Sequence, residues 1–215
     1  MRETTAKERV LKKIRKALIH KTSPKNQSID FERPVFPRIE NDLAIHFAEQ
    51  LIAVQGAFAY CENMLDFAEN LIALVKQQKS EKIGCFEPQI QALFNQIDFP
   101  YLADTSQLSQ VEIGVTGCEA LLAQTGSVLV SSAQQIGRSM TIYPPIHVVV
   151  AFSSQLQPDL KSALKVLQNK YNGRLPSLLT AITGPSRTAD IEKTLVLGAH
   201  GPKALYVFLV EDQGA

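Results

Sequence analysis

An α/β fold built on a mainly parallel sheet, with helices on both faces, is what this sequence predicts, and three observations predict it. The first half alternates helical and short strand patterns, which is how parallel strands joined by helical crossovers read. The two strongest strand segments, HVVVAF (147–152) and ALYVFLV (204–210), are apolar at consecutive positions instead of alternating, as expected when both faces of a strand are covered. At 215 residues and 45% apolar content the chain is also large enough for one hydrophobic core to stabilise one domain.

Taken in order, residues 4–20 place Val10, Leu11, Ile14, Ala17 and Leu18 at helical spacing, with Lys7, Arg9, Lys12, Lys13, Arg15 and Lys16 on the remaining surface. This basic amphipathic helix is expected to pack its stripe on its own domain or on a second subunit of a homo-oligomer. Membrane or nucleic-acid binding is the weaker reading. Glu3 and Glu8 argue against an amphipathic organelle leader, which avoids acidic residues. Pro24, Pro34 and Pro37 then deny a helix its donors, so residues 1–40 read as a helix and Pro-containing tether preceding an α/β domain at 41–215.

Within that domain Asn41 and Asp42 can cap a helix carrying Leu43, Phe47, Leu51 and Ile52, which Gly56 ends before a strand at Ala57–Cys61. Asn63 begins a second helix, and Lys82–Phe86 reads as the next strand. Further strands are expected at Val111–Thr116, Ser127–Ser131, Ile146–Phe152, Leu178–Thr183 and Leu205–Val210, with a helix from Pro158 to about Tyr171.

Composition excludes several functions. The 22 Lys+Arg and 21 Asp+Glu nearly cancel, so no chain-wide field draws the protein to nucleic acid or to an anionic bilayer. No segment approaches the roughly 20 apolar residues of a membrane span, and the start lacks a secretory signal, so a cytoplasmic location is expected. Cys61, Cys85 and Cys118 are far apart in sequence, without a C-x-x-C pair. They supply no disulfide framework, zinc site or four-cysteine iron–sulfur site, and read as buried small apolar residues. No metal site or cofactor is expected in this chain. Dinucleotide, triphosphate and zinc-protease motifs are missing too.

Three glycine-containing clusters carry the candidate chemistry. In the first, GVTGCEALLAQTGS (114–127), a strand is expected to end at Thr116-Gly117 and to be followed by a helix of about two turns, stopped by a left-handed Gly126. Its free amides, with Thr116, Gln124, Thr125 and Ser127, can hold a carboxylate or phosphate. The plain alternative is a compact connection whose glycines serve geometry only.

The second cluster, TGPSRTADIE (183–192), follows an apolar strand. Gly184 and Pro185 shape a turn that sets Ser186, Arg187 and Thr188 beyond the strand's carboxyl end, where open α/β sheets bind ligands. Arg187 can clamp a carboxylate, while Asp190 and Glu192 can orient it or move a proton. Alternatively Ser186 or Thr188 caps a helix and Arg187 pairs with Asp190.

In the third cluster, LGAHGP (197–202), His200 stands before Gly201 and is the preferred acid/base candidate; the alternative is a hydrogen-bonding plug. His147, after Pro144-Pro145, is a second candidate, or a histidine that merely satisfies a backbone carbonyl. Parallel strands are expected to bring these cluster ends to one edge of the sheet.

VTGCEALLAQTGS (115–127), TGPSRTADIE (183–192) and LVLGAHGP (195–202) resemble the lactate-utilisation protein C family, also described as YkgG-like or LUD-domain proteins. The resemblance runs from the basic helix to Asp212. It implies a fold like that of glucosamine-phosphate deaminases, ribose-phosphate isomerases and coenzyme A transferases (NagB/RpiA/CoA-transferase-like). It also implies membership of a three-protein system that oxidises L-lactate to pyruvate, whose sister proteins carry the iron–sulfur clusters. The expected partners are those proteins and a small anion such as lactate, pyruvate or a phosphate-containing molecule. Two positions depart from the family pattern: Gln124 stands where glutamate is expected and Tyr206 where histidine is. Gln124 cannot ionise, so a glutamate-dependent nucleophilic or basic role is closed to it. Three functions stay open on the sequence: a non-redox subunit of that system, an independent isomerase, hydrolase or acyl transferase using His200, Asp190 and Arg187, and a ligand-sensing regulator. Kinship of fold alone does not choose among them.

Overall fold

The computed structural model describes residues 5–19, 36, 38–134, 137–191, 194–197 and 200–212; for 137–138, 188–191 and 194–197 it describes the backbone alone. The chain divides into two compact units, Met1–Pro37 and Arg38–Ala215. The first contains α1 (Ala6–Ile19). Its start is a capping box, in which the Glu8 N–H donates to Thr5 Oγ1 and the Thr5 N–H donates to Glu8 Oε2.

In the second unit the order is α2 (Leu43–Ala53), β1 (Ala57–Cys61), α3 (Met64–Gln78), β2 (Ile83–Cys85), α4 (Pro88–Gln96), β3 (Ile113–Thr116), β4 (Ala120–Leu122), β5 (Ser127–Ser131), α5 (Gly137–Met140), β6 (Ile146–Phe152), β7 (Leu156–Gln157), α6 (Leu160–Lys170), β8 (Leu179–Ile182), β9 (Arg187–Ile191), β10 (Thr194–Leu197) and β11 (Ala204–Val210). Local chemistry starts the helices where expected. Asp42 Oδ1 accepts from the N–H groups of Ala44 and Ile45, and Asn63 Oδ1 from those of Leu65 and Asp66, which satisfies donors that each first turn leaves unpaired.

The strands form two layers where one mainly parallel sheet was expected. Five of them make a wholly parallel sheet in the order β1-β11-β6-β3-β2. A second sheet, β7-β4-β5-β8, is antiparallel except at β4 and β7. The strand after Leu178 therefore joins the antiparallel layer, while β9 and β10 form a separate antiparallel pair.

Burial explains the layering. On one face of the parallel sheet, Val115, Val148, Val150 and Phe208 pack against Phe67 and Leu71 of α3 and Phe94 of α4. On the other face Val149, Ala151, Val207 and Leu209 meet Phe47 and Leu51 of α2, together with Leu121, Val128 and Val130 of the second sheet. The far side of the second sheet is closed by Ala163 and Leu167 of α6 against Ala120, Leu122 and Leu129. Each fully buried aliphatic or aromatic side chain in these seams contributes on the order of 1.5–3 kcal/mol of transfer free energy. The consecutive apolar runs of β6 and β11 follow from this, because helices cover one face and a second sheet covers the other.

The two-turn helix expected after Gly117 is a strand. Leu121 and Ala123 point into one seam and Ala120 and Leu122 into the other, so this stretch of CEALLA is buried at period two on both sides. Only a single 3-10 turn, Ala123–Thr125, separates β4 from β5. Gly126 ends that turn with φ +59°, in the left-handed region as expected.

Candidate functional site

The last turn of α2 organises the glycine clusters. A Cβ on Gly126 would run into Leu51 N, and one on Gly184, with φ +78°, would run into Val54 O. Glycine thus lets both loops press their backbones onto one helix end. Hydroxyls then stitch the loops to each other: Thr125 Oγ1 lies 2.7 Å from Ser127 Oγ, which lies 2.8 Å from Thr183 Oγ1. Ser127 is buried, while Thr125 is half-buried. Gln124 is half-buried beside them, and its backbone N–H donates to Pro158 O.

The third cluster reaches the same rim. The Ser186 N–H donates to Pro202 O at 2.9 Å, and a Cβ on Gly201 (φ +149°) would meet Ser186 Cβ at 2.9 Å. Pro185 is buried, Ser186 half-buried, and Arg187 and His200 are exposed. Arg187 Nη2 donates to Val54 O at 2.8 Å, a cation on a helix C-terminus, and this is one of the five guanidinium N–H donors it carries. Thr188 and Asp190 have backbone positions in β9, but their side chains lie outside the described residues, as do Glu192 and the backbone of Gly198 and Ala199.

The location of this rim differs from the expectation. Val54 precedes β1, Pro202 precedes β11, and the Lys203 N–H donates to Pro145 O just before β6. The rim therefore borders the amino edge of the parallel sheet, because β8 runs in the antiparallel layer and delivers its carboxyl end there. Thr116 and Gly117, expected to share the ligand site, end β3 at the opposite edge.

Two expected ligand-site residues are interior. Thr116 is 2% and His147 0% exposed, with Thr116 Oγ1 2.9 Å from His147 Nε2. His147 shares the face of β6 that carries Val149 and Ala151 toward the second sheet, so the hydroxyl takes the place of the backbone carbonyl expected as its partner. Nδ1 has no hydrogen-bond partner among the described residues. Burial pulls the imidazole pKa down to about 4, so the ring is neutral at physiological pH.

At the carboxyl edge the structure presents polar residues that sequence reasoning passed over. Glu87, between β2 and α4, accepts from the Gly117 N–H at 2.8 Å and from Gln134 Nε2 at 3.3 Å, both through Oε1. Burial raises its pKa above the usual carboxylate range, against the pull of these donors. Glu119, 5% exposed, accepts from Ser131 Oγ, Tyr171 Oη and Lys170 Nζ. Burial alone would raise its pKa, but these donors outweigh burial and hold it low. A glutamate immediately before Pro88 at a helix start is the one local hint that Glu87 carried. Glu119 carried none, since its partners lie 12, 51 and 52 residues away.

The three cysteines are separately buried, and burial raises all three thiol pKa values, Cys61 to about 11 and Cys85 to about 12. Among the described residues no group of three or more His, Cys, Asp or Glu side chains is placed to hold a metal ion, and no helix is long and apolar enough to cross a membrane.

With this geometry in hand, the LUD domain model matches residues 6–210. The chain belongs to the LUD-domain family. Its relatives include YkgG of Escherichia coli (strain K12), 37% identical over 166 residues that cover 74% of this chain and 70% of that protein. Lactate utilization protein C of Bacillus subtilis (strain 168) is 41% identical over 107 residues, covering 48% of this chain and 44% of that protein. The matched stretch thus spans less than half the length of that LUD-family relative. The crystal structure of a DUF162 family protein from Deinococcus radiodurans shares the fold, with a TM-score of 0.54, 18% identity, and coverage of 78% of this chain and 96% of that one.

Proposed function

We propose that this LUD-family chain is the non-redox component of a cytoplasmic iron–sulfur system that oxidises L-lactate to pyruvate. In this reading it binds a small anion at the α2 rim and docks to the cluster-bearing partner proteins. Lactate gives up two electrons and two protons in becoming pyruvate, and the electrons pass to the partners' clusters. The observation that carries the reading is the joining of three motif loops at one rim, where the exposed Arg187 is bonded to Val54 O and the hydroxyls of Thr125, Ser127 and Thr183 are linked in a chain. A guanidinium, with its planar fork of donors, is the group best suited to a planar carboxylate. The relatives named lactate utilization protein C support the choice of pathway. The paired sheets support kinship with the NagB/RpiA/CoA-transferase-like folds, and Gln124 argues against a covalent acyl intermediate of the glutamate-dependent kind.

The test is reconstitution. Lactate-dependent dye reduction by the purified partner proteins is measured with and without this chain, and with Arg187→Ala. The rate drops when the chain is omitted and drops in the variant; a rate indifferent to the chain removes the reading.

A further inference from the structure

At the carboxyl edge of the parallel sheet a cavity of about 460 Å³ opens between α4 and the ends of β3 and β6. This is the edge where open α/β sheets take their ligands, and the volume is that of a small-molecule site. Its lining includes the apolar side chains of Ile90, Leu93, Val150 and Phe152. It also includes the polar and charged side chains of Glu87, Glu119, Gln134 and Lys170.

The bonds among these groups show which remain open. Lys170 Nζ lies 2.7 Å from Glu119 Oε2, so that ammonium already has its counter-ion. Gln155, also in the lining, gives its amide N–H to Cys118 O. Glu87 Oε1 is engaged by Gly117 and Gln134. Oε2 is turned toward Gly117, where a Cβ would stand 2.7 Å from it, and no donor reaches it among the described residues. Among the described lining residues two carboxylates face one ammonium, which leaves one negative charge uncompensated by them. An anion brought here would meet that charge, whereas a cation would supply the donor that Oε2 lacks.

We propose that this cavity binds a small amphipathic amine, its ammonium on Glu87 Oε2 and its hydrocarbon body against Ile90, Leu93, Val150 and Phe152. The burial that pushes Glu87 toward its protonated form is relieved when a cation sits beside it. The site is chemically opposite to the α2 rim and lies at the other edge of the sheet, so either can fail without the other.

The experiment is calorimetric titration of the full chain, near neutral pH, with 3-phenylpropylamine, 3-phenylpropanol and 3-phenylpropanoate, three probes with one apolar body and different heads. The amine binds about ten- to a hundredfold more tightly than the alcohol, the range of one hydrogen bond to a charged group, and the carboxylate binds least. Glu87→Gln removes the amine's advantage while keeping an acceptor for Gly117. Ala92→Trp, an exposed α4 position that also lines the cavity, blocks all three probes without touching the core. Excess L-lactate leaves amine binding unchanged. The proposal is overturned if the carboxylate binds as well as the amine, if no probe binds, if lactate displaces the amine, or if a folded Glu87→Gln or Ala92→Trp protein binds the amine like the parent.

Discussion

The two edges of the parallel sheet are built by different means. At the amino edge, glycine-dependent backbone contacts set the α2 rim: Gly126 and Gly184 lie on the last helical turn, and short hydroxyl bonds join Thr125, Ser127 and Thr183. At the carboxyl edge, side-chain electrostatics do the work, through Glu87 on the Gly117 amide and Glu119 among Lys170, Ser131 and Tyr171. Steric fit at the first edge is independent of pH, whereas the second is built from groups that titrate. Perturbing each edge should therefore produce different kinds of response.

The largest expected effect is at Gly126. An alanine there takes on a left-handed backbone and drives its methyl into the α2 backbone at Leu51. Together these cost about 2–5 kcal/mol, a fall in thermal midpoint on the order of 10 °C. Gly173→Ala is the control, since its φ of +79° carries the same backbone penalty but a Cβ there meets nothing within 4 Å. It should cost about 1–2 kcal/mol. Equal losses in the two variants, followed by thermal unfolding, would mean that contact with α2 contributes nothing.

The carboxyl edge is tested by pH. The Glu119 pKa is held below the ordinary 4.5, so the unfolded chain binds its proton first. Its contribution is present above pH 4.5 and is lost as pH falls through the lower folded value. The Glu87 pKa is raised above the same 4.5, and its sign is opposite: stability falls as pH climbs from 4.5 through the raised folded value. Urea unfolding across the acid range should show Glu119→Gln losing the rise on the acid side and Glu87→Gln losing the decline above it. Identical pH profiles for the two variants would contradict opposed environments. Glu119→Gln should also cost about 2 kcal/mol near neutrality, because Lys170 keeps much of its exposure while Ser131 and Tyr171 lose a charged acceptor.

Between the edges, His147 is expected to stay neutral down to about pH 4, against 6.5 for a free imidazole. The unfolded chain takes up that proton first, so this contribution to stability is lost as pH falls from 6.5 toward 4. Imidazole NMR shifts that titrate near 6.5 would place the ring in water instead of between the sheets.

Much of this organisation was legible in the sequence, and the failures have a common cause. Asp42 and Asn63 declare their helices because a cap is a contact between residues two or three apart. The ends of β1, β5 and β6 are read correctly for a similar reason, since turn residues bracket short apolar runs. The runs in β6 and β11 reveal two covered faces, but not that a sheet covers one of them. The stretch after Gly117 reads as a helix of about two turns because Cys118, Leu121 and Leu122 fit a helical face as readily as a doubly buried strand. The rim was legible in part: glycine motifs mark the loops, but the antiparallel run of β8, which moves them to the amino edge, depends on pairing with β5 about 50 residues earlier. Glu87 and Glu119 went unread because each is defined by distant partners.

The smallest effect on stability, and the most informative for function, is expected at Arg187. Its side chain is exposed and its bond to Val54 O competes with water, so Arg187→Ala should cost about 1 kcal/mol or less by thermal unfolding. If the guanidinium also holds the anion, the same substitution should weaken lactate, pyruvate or phosphate binding about tenfold or more, as expected for loss of a charge-assisted contact. Arg187→Lys separates the two roles, because an ammonium can still cap Val54 O but lacks the planar fork that engages both oxygens of a carboxylate. Lysine should thus restore stability and leave affinity low. Were lysine to restore both, point charge would suffice at the rim; were alanine to leave affinity untouched, Arg187 would be a helix cap and nothing more.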